Sequence, residues 1–280
     1  MRGDSLGVSK AARTPTLVEL AGKNAAMSAH QDNAPTALVT GVSKGIGRAI
    51  ARRLLSDGWQ VHGTYRSGQG AALELEADFE GCTVHQADLG RDGDVEELLA
   101  TLGDLPLAGL VNNAGVIHFE DVREFDLSRW RETLEVNLTA PVRLARALES
   151  NLVGGSIVNI ASTDARTGAY NSIAYAVSKA GLLNATQCLG NLLARSNIRV
   201  NAVTPGWIAT EMTTEDDAAI SLTPLGRIGD PADVAAAVAW LLSSESAFVT
   251  GTDLVIDGGY SNVDYVTKLE ADEHARATEG

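Results

Sequence analysis

The stretch TALVTGVSKGIGRAIARRLLSDG, Thr36–Gly58, decides the fold. Its first residues form a short run with β propensity. TGVSKGIG follows, and then apolar residues recur at helical spacing until Gly58 ends the pattern. A strand that passes through a glycine-rich turn into a helix is the opening half of a parallel β-α-β unit. The glycines are spaced G-x-x-x-G-x-G (Gly41, Gly45, Gly47), so the common G-x-G-x-x-G fingerprint does not match. The physics is the same in both spacings. Glycine lets the backbone approach a pyrophosphate, and the helix start offers uncommitted N–H groups and a positive dipole end.

Working outward, the alternation continues. WQVHGTYR reads as a strand, GAALELEADFEG as a helix, CTVHQADL as a strand and DGDVEELLATLG as a helix. LAGLVNNAG is a strand, residues 125–150 one long helix, GSIVNIAS a strand, residues 174–196 a second long helix and IRVNAVTPG a strand. DPADVAAAVAWLLSS is a helix with Asp230 as N-cap and Pro231 at its first position, and TDLVIDGG is the last strand. Seven strands alternating with helices predict an α/β fold: one doubly wound parallel sheet of the Rossmann type, with helices on both faces. Residues 35–261 form this domain. Residues 1–34 are polar and small and read as a flexible arm, with Met27 a possible true start; residues 262–280 form a C-terminal tail.

The composition narrows the function. The net charge is −14, which speaks against nucleic acid or an anionic membrane as partner, because both require a basic footprint. No apolar run approaches the length of a membrane span, and no charged start precedes an apolar stretch as in a secretory signal. Two cysteines, Cys82 and Cys188, sit in apolar runs, and the five histidines show no metal-ligand spacing. The expectation is a cytoplasmic protein without a metal site.

In such a sheet, ligands lie beyond the carboxyl ends of the strands. NNAG, Asn112–Gly115, follows one strand there, and Ser162 follows another. Tyr175 and Lys179 stand four apart in SIAYAVSKAGLL and share a helical face. A free tyrosine titrates near pH 10, and a neighbouring ammonium is expected to lower that value and make the phenol a usable acid/base. Ser162 is placed to bond a carbonyl oxygen, and Asn137, in EVNLTAP, to hold a water in a proton path.

With these motifs in order, TGVSKGIG, NNAG, a serine then YAVSK, VNAVTPG and DGG, the chain resembles the short-chain dehydrogenase/reductase superfamily over roughly residues 35–261. RVNAVTPGWIATEM and PLGRIGDPADVA resemble its 3-oxoacyl-carrier-protein reductase branch. The resemblance implies that Tyr175 protonates the reduced carbonyl oxygen. Lys179 would lower its pKa and bind the nicotinamide ribose, Ser162 orient the substrate and Asn137 support the proton relay. It further implies that Gly41, Ser43, Gly45, Ile46 and Gly47 line the pyrophosphate and that Asp88 and Leu89 flank the adenine. Asn113, Ala114 and Gly115 would lie along the cofactor, and Pro205, Gly206, Ile208 and Thr210 at its nicotinamide end. A homotetramer is expected.

An NAD-specific member needs a carboxylate at the end of the second strand. Here that end reads Thr64, Tyr65, Arg66, and Lys44 lies within the glycine turn. Both cations suit a 2′-phosphate, so NADP(H) is expected over NAD(H), with reduction as the working direction.

The segment after Met212 is short and acidic (Glu211, Glu215, Asp216, Asp217), which is not an obvious match for an acidic carrier protein, although Arg129, Arg143 and Arg146 could form a local basic patch. Carrier-linked 3-oxoacyl reduction, sugar or polyol oxidoreduction and reduction of a secondary-metabolite ketone stay open. So does a catalytically silent dinucleotide-binding protein, although such relatives usually lose the tyrosine or the lysine. The tail carries Val263, Tyr265, Val266 and Leu269, which either dock on the body or a neighbouring subunit or belong to a frayed end.

Overall fold

The computed structural model describes residues 34–121, 123–211 and 217–278. The expected arm falls almost wholly outside them, as do Glu215 and Asp216 of the acidic segment. Seven strands, β1 (Thr36–Val39), β2 (Gln60–Tyr65), β3 (Cys82–Gln86), β4 (Gly109–Asn112), β5 (Ser156–Ile160), β6 (Arg199–Pro205) and β7 (Asp253–Ile256), form one sheet in the order β3-β2-β1-β4-β5-β6-β7. Every pairing is parallel. The order reverses between β1 and β4, which puts the ligand crevice at their carboxyl ends.

Alternating residues of the strands feed two cores. Ala37, Val39, Val111 and Val158 pack with α1 (Gly45–Ser56) and α8 (Pro231–Leu242) through Ile50, Leu54, Val234 and Val238. Leu38, Leu110, Ile157 and Val200 face the other way, toward Leu98 of α3 (Asp92–Leu102), Leu144 of α5 (Ala140–Ala147) and Leu189 and Leu193 of α6 (Ile173–Leu193). Between β2 and β3 runs α2 (Gln69–Asp78). At the start of α8, Asp230 accepts from Ala232 N at 2.7 Å and Asp233 accepts from Asp230 N at 2.9 Å. The Asp230 cap is the one the Asp-Pro signal predicts, and Asp233 completes it into a reciprocal box.

Three elements differ from the sequence reading. The helix expected over 125–150 is broken: α4 (Leu127–Leu134) gives way to a π turn, Glu135–Thr139, before α5 resumes. The cause is local. Pro141 sits four residues after Asn137, offers no N–H to its carbonyl, and would clash with it in a regular helix. The wider turn relieves that clash and lets the Asn137 side chain leave the helix. In the acidic segment, a short helix α7 (Asp217–Leu222) forms. The tail, read as frayed or docked, contains α9 (Tyr265–Thr278).

Candidate active site

The glycine turn comes first along the chain. Gly41 and Gly45 have φ of +76° and +55°, in the left-handed region that favours glycine. A Cβ on Gly41 would stand 3.1 Å from the Ala114 Cα, and one on Gly47 would overlap the Gly41 carbonyl oxygen and the Asn113 amide. The turn is thus packed against NNAG by bare backbone. Thr40, passed over in the sequence, supplies the link: its hydroxyl accepts from Asn113 N at 2.9 Å and Ala114 N at 3.0 Å. Asn113 donates to the Thr40 carbonyl at 2.9 Å. Its cue in the sequence is its place, a hydroxyl residue between strand and turn.

Helix α1 then starts with no cap from the Lys44 side chain and no acidic residue in its first turn, so its own sequence leaves the positive dipole end open to an anion. Ile46 packs at the edge of the core. Ser43 lies against Gly68, past the end of β2.

The catalytic candidates come together at the ends of β4 and β5. Ser162 follows β5, and its Oγ accepts from Asp164 N at 3.2 Å. Tyr175, on the first turn of α6, brings its hydroxyl to the Ser162 side chain, close enough for the serine to favour the phenolate. Lys179, one turn on, is buried; its Nζ donates to the Ile160 carbonyl at 2.6 Å and lies 5.6 Å from the centre of the Tyr175 ring. Asn137 is fully buried and reaches across from the π turn. It accepts from Val116 N at 2.8 Å and donates to Val116 O at 2.9 Å. It also donates to the Ser178 hydroxyl at 3.1 Å, which in turn donates to the Tyr175 carbonyl at 2.7 Å. Ser178, missed in the sequence, therefore couples the π turn to the helix that carries Tyr175. Glu120 adds a second tie, accepting from Ala174 N at 2.8 Å at the start of α6.

The electrostatics correct one expectation. The Tyr175 phenol is pushed up to about 12, not down. Burial is the main cause, the Asp164 carboxylate adds to it, and the Ser162 hydrogen bond opposes both. Lys179 does not offset this, because its ammonium points at Ile160 rather than at the phenol oxygen. Burial also brings Lys179 down to about 8. Both shifts disfavour the charged forms, as desolvation does.

The remaining sequence candidates divide. Asp88 is partly exposed and accepts from Gly90 N at 3.0 Å; Leu89 is buried, and Val136 of the π turn reaches the same loop at Gly90. Gly115 lies beside Lys179 and Asn137. Pro205 ends β6, and Gly206 is packed too tightly against Asp257 for any side chain. Ile208 turns its side chain into the core, so any role it has at a ligand is a main-chain one. Thr210 lies against Gly45. Lys44 pairs with Glu211 at 3.3 Å, and Arg66 with Glu132 at 3.1 Å. Arg143 is held by Asp92 and Glu96, and Arg129 by Asp126, so these two do not form an uncommitted basic patch. The ring of Trp207, which follows Gly206, meets Tyr260 edge-on at 6.2 Å, and Tyr260 leads to Tyr265 of α9. Among the described residues, no group of three or more His, Cys, Asp or Glu is placed to hold a metal, and no helix is long and apolar enough to cross a membrane.

A family model described as enoyl-(acyl carrier protein) reductase matches residues 41–261. The chain belongs to the short-chain dehydrogenase/reductase superfamily. Within it the chain falls in the 3-oxoacyl-carrier-protein reductase-like branch. It is 36% identical over 236 residues to the 3-oxoacyl-[acyl-carrier-protein] reductase FabG of Vibrio harveyi, covering 80% of this chain and 96% of that protein. It is 35% identical to glucose 1-dehydrogenase 2 of Bacillus subtilis (strain 168), covering 84% and 97%. Among solved structures, it is similar to a blue fluorescent protein from a metagenomic library, crystallised in complex with NADPH, with a TM-score of 0.77, 34% identity and coverage of 81% and 98%. This short-chain dehydrogenase/reductase is an NAD(P)-dependent oxidoreductase that acts on CH–OH or carbonyl groups. The cradle of Gly41, Gly45 and Gly47, closed to any Cβ at Gly47, fits a dinucleotide pyrophosphate on backbone N–H groups.

Proposed function

We propose that the protein reduces a 3-oxoacyl-type ketone to a secondary alcohol, using NADPH and Tyr175 as the acid. The observation that carries this reading is the meeting of the Ser162 and Tyr175 hydroxyls beside a buried Lys179, whose ammonium lies 5.6 Å from the centre of the Tyr175 ring. Two hydroxyls at one point suit a carbonyl oxygen, which gains negative charge as it is reduced. The bound nicotinamide supplies the hydride. Ser162 orients the oxygen, and Tyr175 delivers a proton to it. With its pKa near 12 the phenol is loaded at neutral pH, as an acid must be. Lys179, with a value near 8, is largely ammonium at neutral pH and would bind the nicotinamide ribose. Asn137 holds Val116 and Ser178 in place around this centre.

The glycine cradle would hold the pyrophosphate, Asp88 and Leu89 the adenine, and NNAG the length of the cofactor. Support for NADP(H) comes from the absence of a carboxylate among Thr64, Tyr65 and Arg66, and from the cations Lys44 and Arg66. The relative crystallised with NADPH points the same way. Apolar side chains on the outer face of α6, Ile173, Val177 and Leu192, are exposed and support a homotetramer; light scattering giving a monomer would refute it. A cytoplasmic enzyme fits this reading.

A substrate panel tests the proposal. A 3-oxoacyl thioester, a matching enoyl thioester, a sugar and a cyclic ketone are each offered with NADPH and with NADH. NADPH consumption fastest with the 3-oxoacyl thioester is expected. Turnover of the enoyl compound alone would overturn the ketone assignment.

A further inference from the structure

Glu132, on α4, holds two groups at once. One carboxylate oxygen accepts from Arg66 at 3.1 Å, and the other meets His118 Nε2 at 3.0 Å. Arg66 is the cation just past β2, and His118 belongs to the loop after NNAG. Neither Glu132 nor His118 figures among the residues expected to bind the cofactor. The other candidate cation, Lys44, is also paired, with Glu211. The two pairs differ in how firmly the carboxylate is held. The Glu211 side chain is 70% exposed and can swing into water. Glu132 is fixed through both oxygens to two separate segments, so releasing Arg66 does not remove its charge from the neighbourhood.

We propose that Glu132 is a specificity-determining residue that works against the 2′-phosphate, by occupying Arg66 and keeping a negative charge beside it. The inference rests on the reading above that Arg66 faces the 2′-phosphate of NADP(H). A phosphate monoester brings between one and two negative charges and recognises the guanidinium through charge-assisted hydrogen bonds. It must displace a carboxylate that already makes such bonds and then sit next to it. NAD(H), with a neutral hydroxyl at that position, faces neither cost. Glu132 thus moderates a preference that Arg66 creates, and the chain can use either dinucleotide over a narrower range of affinity than its two cations suggest.

The test is equilibrium binding of NADP⁺ and NAD⁺ to the purified full-length protein, followed by calorimetry. The proteins are wild type, Glu132→Gln, Arg66→Ala and the double variant. Glutamine keeps the size and removes the charge, and the site is partly exposed, so folding is retained. Glu132→Gln is expected to tighten NADP⁺ by about fivefold, the upper range for an exposed ion pair, with NAD⁺ changed less than about twofold. In the Arg66→Ala background the same substitution gives a smaller gain, because only the repulsion between carboxylate and phosphate is left to relieve. If Arg66→Ala weakens NADP⁺ while Glu132→Gln leaves it unchanged or weaker, the role of Glu132 is wrong and that of Arg66 stands. If Arg66→Ala has no effect on NADP⁺, both fall.

Discussion

The ammonium of Lys179 stands 5.6 Å from the centre of the Tyr175 ring, over its face rather than at its hydroxyl. The pair therefore does not act by dragging the phenol to neutral pH. Burial holds Tyr175 at about 12 and Lys179 at about 8. From pH 6 to pH 10 it is the lysine that changes charge, while the phenol keeps its proton.

Reductive kcat/KM should accordingly fall as pH rises through about 8, with Lys179 responsible for the limb. A Lys179→Arg variant, whose guanidinium stays charged, should lose that limb even if its plateau is lower. A limb at the same pH in the variant would assign it to another group. The same shift has a stability sign. The folded lysine titrates below its ordinary 10.5, so the unfolded chain binds more protons between about 8 and 10.5. Its contribution to stability therefore rises with pH across that window.

The π turn makes a separate prediction. Asn137→Ala leaves the half-buried Val116 N and O and the buried Ser178 hydroxyl without their side-chain partner. At about 1–3 kcal/mol for an unsatisfied buried group, thermal unfolding should shift down clearly. Pro141→Ala instead restores the N–H that a regular helix needs. It should leave the melting temperature near wild type or above it, yet lower turnover at least about tenfold by drawing Asn137 back toward the helix. Wild-type turnover in Pro141→Ala would show that the π turn is not needed to place Asn137.

Two glycines in helical segments should respond with opposite sign. Gly47→Ala puts a methyl into the Gly41 carbonyl, and backbone cannot move aside cheaply. A loss of about 1–3 kcal/mol in denaturant unfolding is expected, together with loss of dinucleotide binding. Gly93, in the first turn of α3, has open space around its missing Cβ and no positive φ. Gly93→Ala should stabilise by about 0.4–1 kcal/mol.

Local signals carried most of the fold into the sequence. The β1-turn-α1 unit, the seven strands and the Asp230 cap each depend on residues close together in the chain, and each reads correctly. That Ser162, Tyr175 and Lys179 meet at one place was legible for the same reason, since they follow a strand end at short spacing. The π turn had a signal, Pro141 four after Asn137, that the apolar periodicity of 125–150 outweighed. The direction of the Tyr175 shift was not legible, because it depends on how completely other elements bury the phenol and on where the Lys179 side chain points. Nor was the link from Arg66 through Glu132 to His118, since Arg66 and Glu132 stand 66 residues apart in the chain and meet only in the folded state. Helix α9 lacks a strong apolar stripe, so nothing in the tail announced it.

The most direct test of the central claim, that Tyr175 is the proton donor in ketone reduction, is kcat for a 3-oxoacyl thioester in Tyr175→Phe, measured beside the dissociation constant for NADPH. A general acid contributes about 10²–10⁴ in rate, so turnover should fall by that factor. The dissociation constant should stay within about threefold, since the pyrophosphate cradle and Lys179 are untouched. Turnover in Tyr175→Phe within about threefold of wild type, with NADPH bound normally, would contradict the assignment.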